Sequence, residues 1–369
     1  MSNIIEYNEL LAFHPGYYIA EIIEEMEISQ VEFARRLGTT SKTMSQLVNG
    51  QCRLSNDLAQ KLSIMLGTST NLWLNLQSSY DEKLLEIQYH EKLDNQIAVI
   101  KQMDYSYFEK LVGFPKTKDV KEKIRNLCGY FKISDLTLLS QPDFLVNFRT
   151  GISNVQEKNI INAQAWLQTA INVSKNIETQ PFDAFKLKSF LPEIRLMTTQ
   201  EPNVFLPRLK EIFSECGVIF VLLPHLKNSG INGAVKWFSP DKVLLAINDR
   251  RCYADTFWFS LFHEIKHILQ QKYSKVFISY DSQKLKELND KLEIEADDFA
   301  SNYLIPATEY NKFISQYISE REILEFACKL KIHPGIIVGR LQHDKIIPQN
   351  HYTYLKIQYK IIVTKSLTS

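Results

Sequence analysis

No stretch of the 369 residues approaches the roughly 18 consecutive apolar residues needed to span a bilayer, so no transmembrane segment is expected. The first residues carry Glu6 and Glu9 and no basic leader, so no signal peptide is expected either. Cysteine is scarce. Cys52, Cys128, Cys216, Cys252 and Cys328 are odd in number, widely scattered and form no CxxC pair, which points to reduced thiols in a cytoplasm rather than a disulfide framework. A dominant charge is also lacking: 43 Lys and Arg meet 42 Asp and Glu, and the net charge of +1 argues against a wholly basic nucleic-acid coat. Repeats and low-complexity linkers are absent. The chain does have length for two or three domains and 45% hydrophobic residues with which to pack them.

The sharpest chemical signal is His263-Glu264-Ile265-Lys266-His267. It lies within Thr256 to Leu269, where apolar residues recur at helical spacing, Phe257, Trp258, Leu261, Ile265 and Ile268, with Ala254 just before the run. On a helix, residues four apart share a face, so His263 and His267 offer two imidazoles to one Zn²⁺ and Glu264 projects beside them toward a water. Two histidines and a glutamate in so apolar a helix are costly unless something pairs with them, and a metal is the simplest partner.

A catalytic zinc usually takes three protein ligands. The segment Leu292 to Pro306 offers Glu293 and Glu295. If it is a helix ended by Pro306, Glu293 shares a face with Ala296, Asp297 and Ala300. Two alanines allow close approach to the His-Glu helix, and Asp297 is placed to accept a hydrogen bond from a liganding histidine. Glu295 is about 160° round the helix from Glu293, so both cannot face one metal. Glu293 is the expected third ligand, with Glu295 as the fallback.

HEIKH with a downstream E-x-E-A-x-x-F-A-x-x-x-x-x-P segment resembles the ImmA/IrrE metallo-endopeptidases, bacterial zincins that cleave repressor proteins. The strand-like runs Ile231 to Trp237 and Val243 to Asn248 extend the resemblance, which covers about Val218 to Leu341. Lys266 departs from it, standing where relatives usually carry glycine. The resemblance implies a zincin-like α+β domain and peptide hydrolysis with Glu264 as general base. An oxyanion-stabilising residue is not singled out among His225, His333 and Tyr303. The strand ending near Trp237 is expected as an edge that pairs with an extended substrate.

At the other end, Ile28 to Gly38 opens with a capping box, Ser29 with Glu32, and stops at Gly38. A second helix is expected from Ser41 to about Val48, ending at Asn49-Gly50. Two short helices joined by a tight turn form a helix-turn-helix, whose second helix enters the DNA major groove. Met44, Leu47 and Val48 suit a core. Ser41, Lys42, Thr43, Ser45 and Gln46 are the candidate DNA contacts, and Gln30 at a helix N-terminus suits a phosphate. Residues 1 to 80 hold five Lys or Arg against eight Asp or Glu, but residues 28 to 54 hold four against one, so the basic charge sits on the motif itself.

His14-Pro15-Gly16, Ser29-Gln30, Asn49-Gly50, the Ala59 to Gly67 helix and Trp73-Leu74-Asn75-Leu76-Gln77 with Tyr80 resemble the Xre/Cro-type repressors of the plasmid-maintenance antitoxin (HigA/VapI) group, over residues 10 to 82. That resemblance implies operator binding as a homodimer. Between the two regions, Glu86 to Leu111, Val120 to Phe131 and Ile160 to Val173 read as helices, with turns near Gly113-Phe114-Pro115 and Gln141-Pro142. Trp166 is expected in a core. Tyr352 to Lys360 alternates like a strand.

The expected class is α+β: an all-α helix-turn-helix domain over 1–82, a helical connector over 83–215, a zincin-like α+β domain over 216–345, and a C-terminal strand or tail over 346–369. The expected function is a DNA-binding regulator with a zinc-dependent endopeptidase domain that hydrolyses a regulatory protein or its own chain. The alternative is a non-catalytic repressor or antitoxin whose zincin domain serves sensing or dimerisation.

Overall fold

The computed structural model describes residues 3–141, 144, 156–249, 253–273, 276–280 and 291–359. The chain forms two compact units, Met1–Ile97 and Ala98–Ser369.

The first unit opens with a hairpin that the sequence reading did not anticipate, β1 (Ile4–Tyr7) and β2 (Leu10–Phe13), paired antiparallel. Four helices follow, α1 (Pro15–Glu25), α2 (Gln30–Leu37), α3 (Ser41–Val48) and α4 (Asn56–Leu66), and then the long α5 (Thr70–Lys101). Ser29 Oγ accepts from the Glu32 backbone N–H at 3.2 Å. The reciprocal half of the expected capping box does not form, because the Glu32 carboxylate pairs with Arg36 one turn on. Gly38 closes α2 at φ 71°, the left-handed region that glycine enters without a Cβ penalty. The two helices of the motif meet through Phe33, Ala34, Leu37, Met44 and Leu47, which share a core with Ile19, Leu62 and Trp73.

In the second unit come α6 (Tyr105–Leu111), α7 (Val120–Phe131), α8 (Glu157–Ser174), α9 (Ala184–Leu196) and α10 (Pro202–Glu215). The expected single helix from Glu86 to Leu111 is in fact two. Asp104 interrupts it, its carboxylate accepting from the Ser106 backbone N–H at 3.1 Å as the cap of α6. Trp166 on α8 is fully buried and donates to the Pro224 carbonyl at 3.1 Å.

A four-stranded sheet follows, built from β3 (Val218–Leu223), β4 (Ile231–Ser239), β5 (Lys242–Asn248) and β6 (Val276–Tyr280) in the order β3-β5-β4-β6. The pair β3/β5 is parallel, and β5/β4 and β4/β6 are antiparallel. The expectation of an open edge at Trp237 is therefore corrected. Strand β4 is hydrogen-bonded on both sides, because β6, from beyond the His-Glu helix, fills the position beside it. Among the described residues the outer strand on that side is β6.

The sheet is followed in the chain by α11 (Ala254–Leu269), α12 (Lys291–Leu304), α13 (Ala307–Ile314), α14 (Glu320–Leu330) and α15 (Pro334–His343). Helix α11 lies on the sheet face formed by Val235, Trp237, Val243, Leu245 and Ile247, burying Phe257, Leu261 and Ile265 in the same core. The expected strand over Tyr352–Lys360 is also corrected. Thr353–Leu355 is a short 3-10 turn, and the segment makes a single bridge, Tyr253 to Gln358. Its alternating Tyr352, Leu355, Ile357 and Tyr359 are apolar because they pack into the core around α11, not because they face a partner strand. Lys360 lies outside the described residues, as do Pro142 and Cys252. None of the four described cysteines is in a disulfide. No helix among the described residues is long and apolar enough to cross a membrane.

Candidate functional site

Helix α11 carries His263, Glu264 and His267 on buried positions, and α12 meets it through the small side chains of Ala296 and Ala300. With nothing larger at the seam, the helices come close enough for Glu293 to reach both imidazoles. Its two carboxylate oxygens each stand 3.3 Å from an Nε2, one on His263 and one on His267, and the two Nε2 atoms are 3.0 Å apart. Zinc bonds of about 2.0–2.1 Å in a tetrahedron separate neighbouring ligand atoms by about 3.3 Å, so each imidazole nitrogen stands at such a separation from the other and from one carboxylate oxygen, and the three groups form a triangle that a zinc could face.

The outer nitrogens fix which atoms point inward. His263 Nδ1 lies 2.8 Å from Asp297 Oδ1, and a carboxylate accepts. His267 Nδ1 lies 2.9 Å from Gln270 Oε1, whose amide nitrogen donates to the Leu292 carbonyl at 2.9 Å. Each Nδ1 then carries the hydrogen and each Nε2 presents a lone pair. Two lone pairs and a carboxylate converge, an arrangement that favours a cation. The electrostatics agree. Burial opposes a charge on His263, but hydrogen bonds to Asp297 and Glu293, with Glu264 nearby, raise its pKa to about 10. Burial likewise opposes charge on Glu293, yet the two imidazoles hold its carboxyl down at about 2. Without a metal, a proton satisfies this field; the residues fit a divalent zinc better, having three ligand atoms at the right spacing.

Glu264 is fully buried and packs against Gly233 of β4; a Cβ there would lie 2.5 Å from Glu264 Oε1. His267 also stacks on Phe277 of β6, with ring centroids 4.1 Å apart at 14°. Gly233, Gln270 and Phe277 were not singled out from sequence. Gln270 follows His267 by three residues, so helical spacing alone would have put it beside that ring; the other two come from distant strands and leave no local signal.

Glu295 is not brought to the triangle. It faces Lys266 Nζ at 3.9 Å and Gln270 Nε2 at 3.4 Å. Tyr303 stacks on Phe262, and the His333 side chain caps α15 by accepting from the Gly335 N–H at 3.1 Å. His225 lies two residues beyond β3, its backbone N–H donating to the Asp249 carboxylate.

On the helix-turn-helix, Ser41, Lys42 and Ser45 are exposed on α3, whereas Thr43 and Gln46 are half-buried. Thr43 shares a hydroxyl contact with Thr40 at 2.9 Å, and Asn49 donates to the Ser45 carbonyl at 2.8 Å. Gln30 is half-buried in the first turn of α2. Arg36 and Arg53 are engaged by Glu32 and Asp81.

Residues 226–342 match the family described as the IrrE N-terminal-like domain, Peptidase_M78. An uncharacterized HTH-type transcriptional regulator of Escherichia coli strain K12 is 35% identical over 86 residues, 22% of this chain and 92% of that protein. Virulence-associated protein I of Dichelobacter nodosus is 31% identical over 80 residues, 21% of this chain and 74% of that protein. Among solved structures, an addiction module antidote protein of a HigA family from Coxiella burnetii is 28% identical, covering 22% of this chain and 91% of that one, with a TM-score of 0.21.

Proposed function

The chain belongs to the HTH-type transcriptional regulators and joins that region to an IrrE N-terminal-like domain, and on this footing we propose that it is an operator-binding repressor whose second unit is a zinc endopeptidase. The observation that carries the peptidase reading is the convergence of His263 Nε2, His267 Nε2 and the Glu293 carboxylate within 4.8 Å, with Glu264 on the same helix.

His263, His267 and Glu293 would hold the zinc, and Asp297 orients His263. Bound zinc supplies a Lewis acid that polarises a scissile carbonyl and acidifies water. Glu264 takes the proton of the attacking water on its carboxylate and passes it to the leaving amine. Burial of Glu264 keeps bulk water from competing for that proton. Among the described residues β6 is an outer strand of the sheet, and its outer edge suits pairing with an extended substrate, which needs only backbone groups. The substrate is a regulatory protein or the chain itself.

On the DNA side, Ser41, Lys42, Thr43, Ser45 and Gln46 face the major groove and Gln30 a phosphate, in a homodimer on its operator. The exposure of Ser41, Lys42 and Ser45 and the net positive charge of residues 28 to 54 support this. A second reading, a repressor or antitoxin without turnover, draws on the regulator relatives, because the match to them needs no part of the metal site.

Glu264→Gln separates the two. It should leave zinc and operator binding intact while abolishing proteolysis and its effect on gene expression. Regulation in cells that is indifferent to this substitution would sink the peptidase reading.

A further inference from the structure

Gln270 stands at the end of α11 with a partner at each end of its amide. Its Oε1 is 2.9 Å from Nδ1 of the fully buried His267, and its Nε2 is 2.9 Å from the Leu292 carbonyl and 3.4 Å from the Glu295 carboxylate. Glu295 is itself held near Lys266 Nζ at 3.9 Å, and that ammonium stands 5.9 Å from the centre of the Phe299 ring. Lys266, Glu295, Gln270 and His267 thus form a chain from the solvent side of the α11/α12 seam to the imidazole.

We propose that Gln270 is a positioning residue that holds His267 in the tautomer with its hydrogen on Nδ1, leaving the Nε2 lone pair for the metal. The inference rests on the zinc reading of the site. An amide can turn over by 180°, and the reversed amide would direct N–H at His267 Nδ1. That nitrogen would then have to accept, the ring hydrogen would move to Nε2, and the ligand atom would be blocked. Two acceptors prevent the reversal. Turning Gln270 over would set its carbonyl oxygen against the Leu292 carbonyl and the Glu295 carboxylate, three groups, two partially and one fully negative, with no hydrogen among them. Lys266 keeps Glu295 in place for this purpose. The two histidines are therefore treated differently: His263 is held by a charged, exposed Asp297, and the fully buried His267 by a neutral amide whose direction is fixed from behind.

The test uses the full chain labelled with ¹⁵N-histidine, together with zinc titration of wild type, Gln270→Leu and Gln270→Glu. In the metal-free wild type, the ring spectrum of His267 should show hydrogen on Nδ1. Gln270→Leu should move it toward the Nε2–H form and weaken zinc binding about tenfold to a hundredfold. Gln270→Glu keeps an acceptor facing Nδ1 but turns its second oxygen toward the Leu292 carbonyl and the Glu295 carboxylate, so it should retain the tautomer and regain only part of the affinity. Wild-type affinity and tautomer in Gln270→Leu would overturn the proposal. So would His267 with its hydrogen on Nε2 in Gln270→Glu, because an acceptor facing Nδ1 would then not be what sets the tautomer. If the wild type takes up no zinc, the metal reading fails by itself, and His267 carrying hydrogen on Nε2 in that chain overturns the tautomer assignment independently.

Discussion

Gly233 on β4 and Glu264 on α11 occupy one space: the glycine has no side chain where the glutamate packs, and a Cβ would come within 2.5 Å of Oε1 and 2.8 Å of Cγ. The sheet thereby sets the position of Glu264, the proposed base, relative to the imidazoles. Gly233→Ala should displace Glu264 while leaving the three ligand atoms in place. The expected outcome is a zinc content like wild type, a stability loss of about 1–3 kcal/mol from overpacking, and proteolysis reduced about a hundredfold. Loss of zinc with the activity would mean that Gly233 supports the ligands and not the base.

Asp297 is the partner of His263 Nδ1 at 2.8 Å. Asp297→Ala should weaken zinc binding about tenfold to a hundredfold, with Asp297→Asn between that and wild type because the asparagine oxygen still accepts. Competition with a chromophoric chelator measures both. Equal affinities in all three chains would remove Asp297 from the site.

Each unit contains a helix capped by a histidine, and pH should act on both. His14 Nδ1 accepts from the Gly16 N–H at 3.0 Å, as His333 does from Gly335. Burial lowers the pKa of both, against a backbone bond to Cys52 and the charge of Asp81 for His14, and against Asp255 and Glu201 for His333. A pKa lowered on folding means that the unfolded chain takes up the proton first. The stabilisation is therefore complete above the unfolded value of 6.5 and is lost as pH falls through the folded value. Protection factors for hydrogen exchange over α1 and α15, taken relative to the intrinsic rate at each pH, should fall between pH 7.5 and 5. Protection that rises on acidification would contradict the neutral cap.

Lys42 is exposed at the start of α3, without an ion pair among the described residues. Lys42→Ala should weaken operator binding across sequences and reduce the salt slope by about 1, whereas Gln46→Ala should cost about 1–3 kcal/mol on the operator alone. A gel shift across a salt series reads both. Binding unchanged by the double substitution would count against the groove assignment.

These sites differ in how far the sequence exposes them, and the difference is physical. The faces of α11 and α12 follow from a period of 3.6, so the side-by-side placement of His263 and His267, and of Glu293 with Asp297, was legible. Gly38 and Ser29 mark the ends of α2 by local chemistry. The status of β4 was not legible, since it depends on β6, which enters the sheet only after α11. Tyr352 to Tyr359 alternates as a strand does, but burial against a helix produces the same pattern. The β1/β2 hairpin spans two four-residue strands, too short for periodicity to declare.

The central claim is the ligand set, and elemental mass spectrometry of purified wild type beside His263→Ala, Glu293→Ala and Glu295→Ala tests it most directly. About one zinc per chain is expected in wild type and in Glu295→Ala, with loss of metal in the other two. No zinc in the wild type, or zinc retained without Glu293, would contradict it.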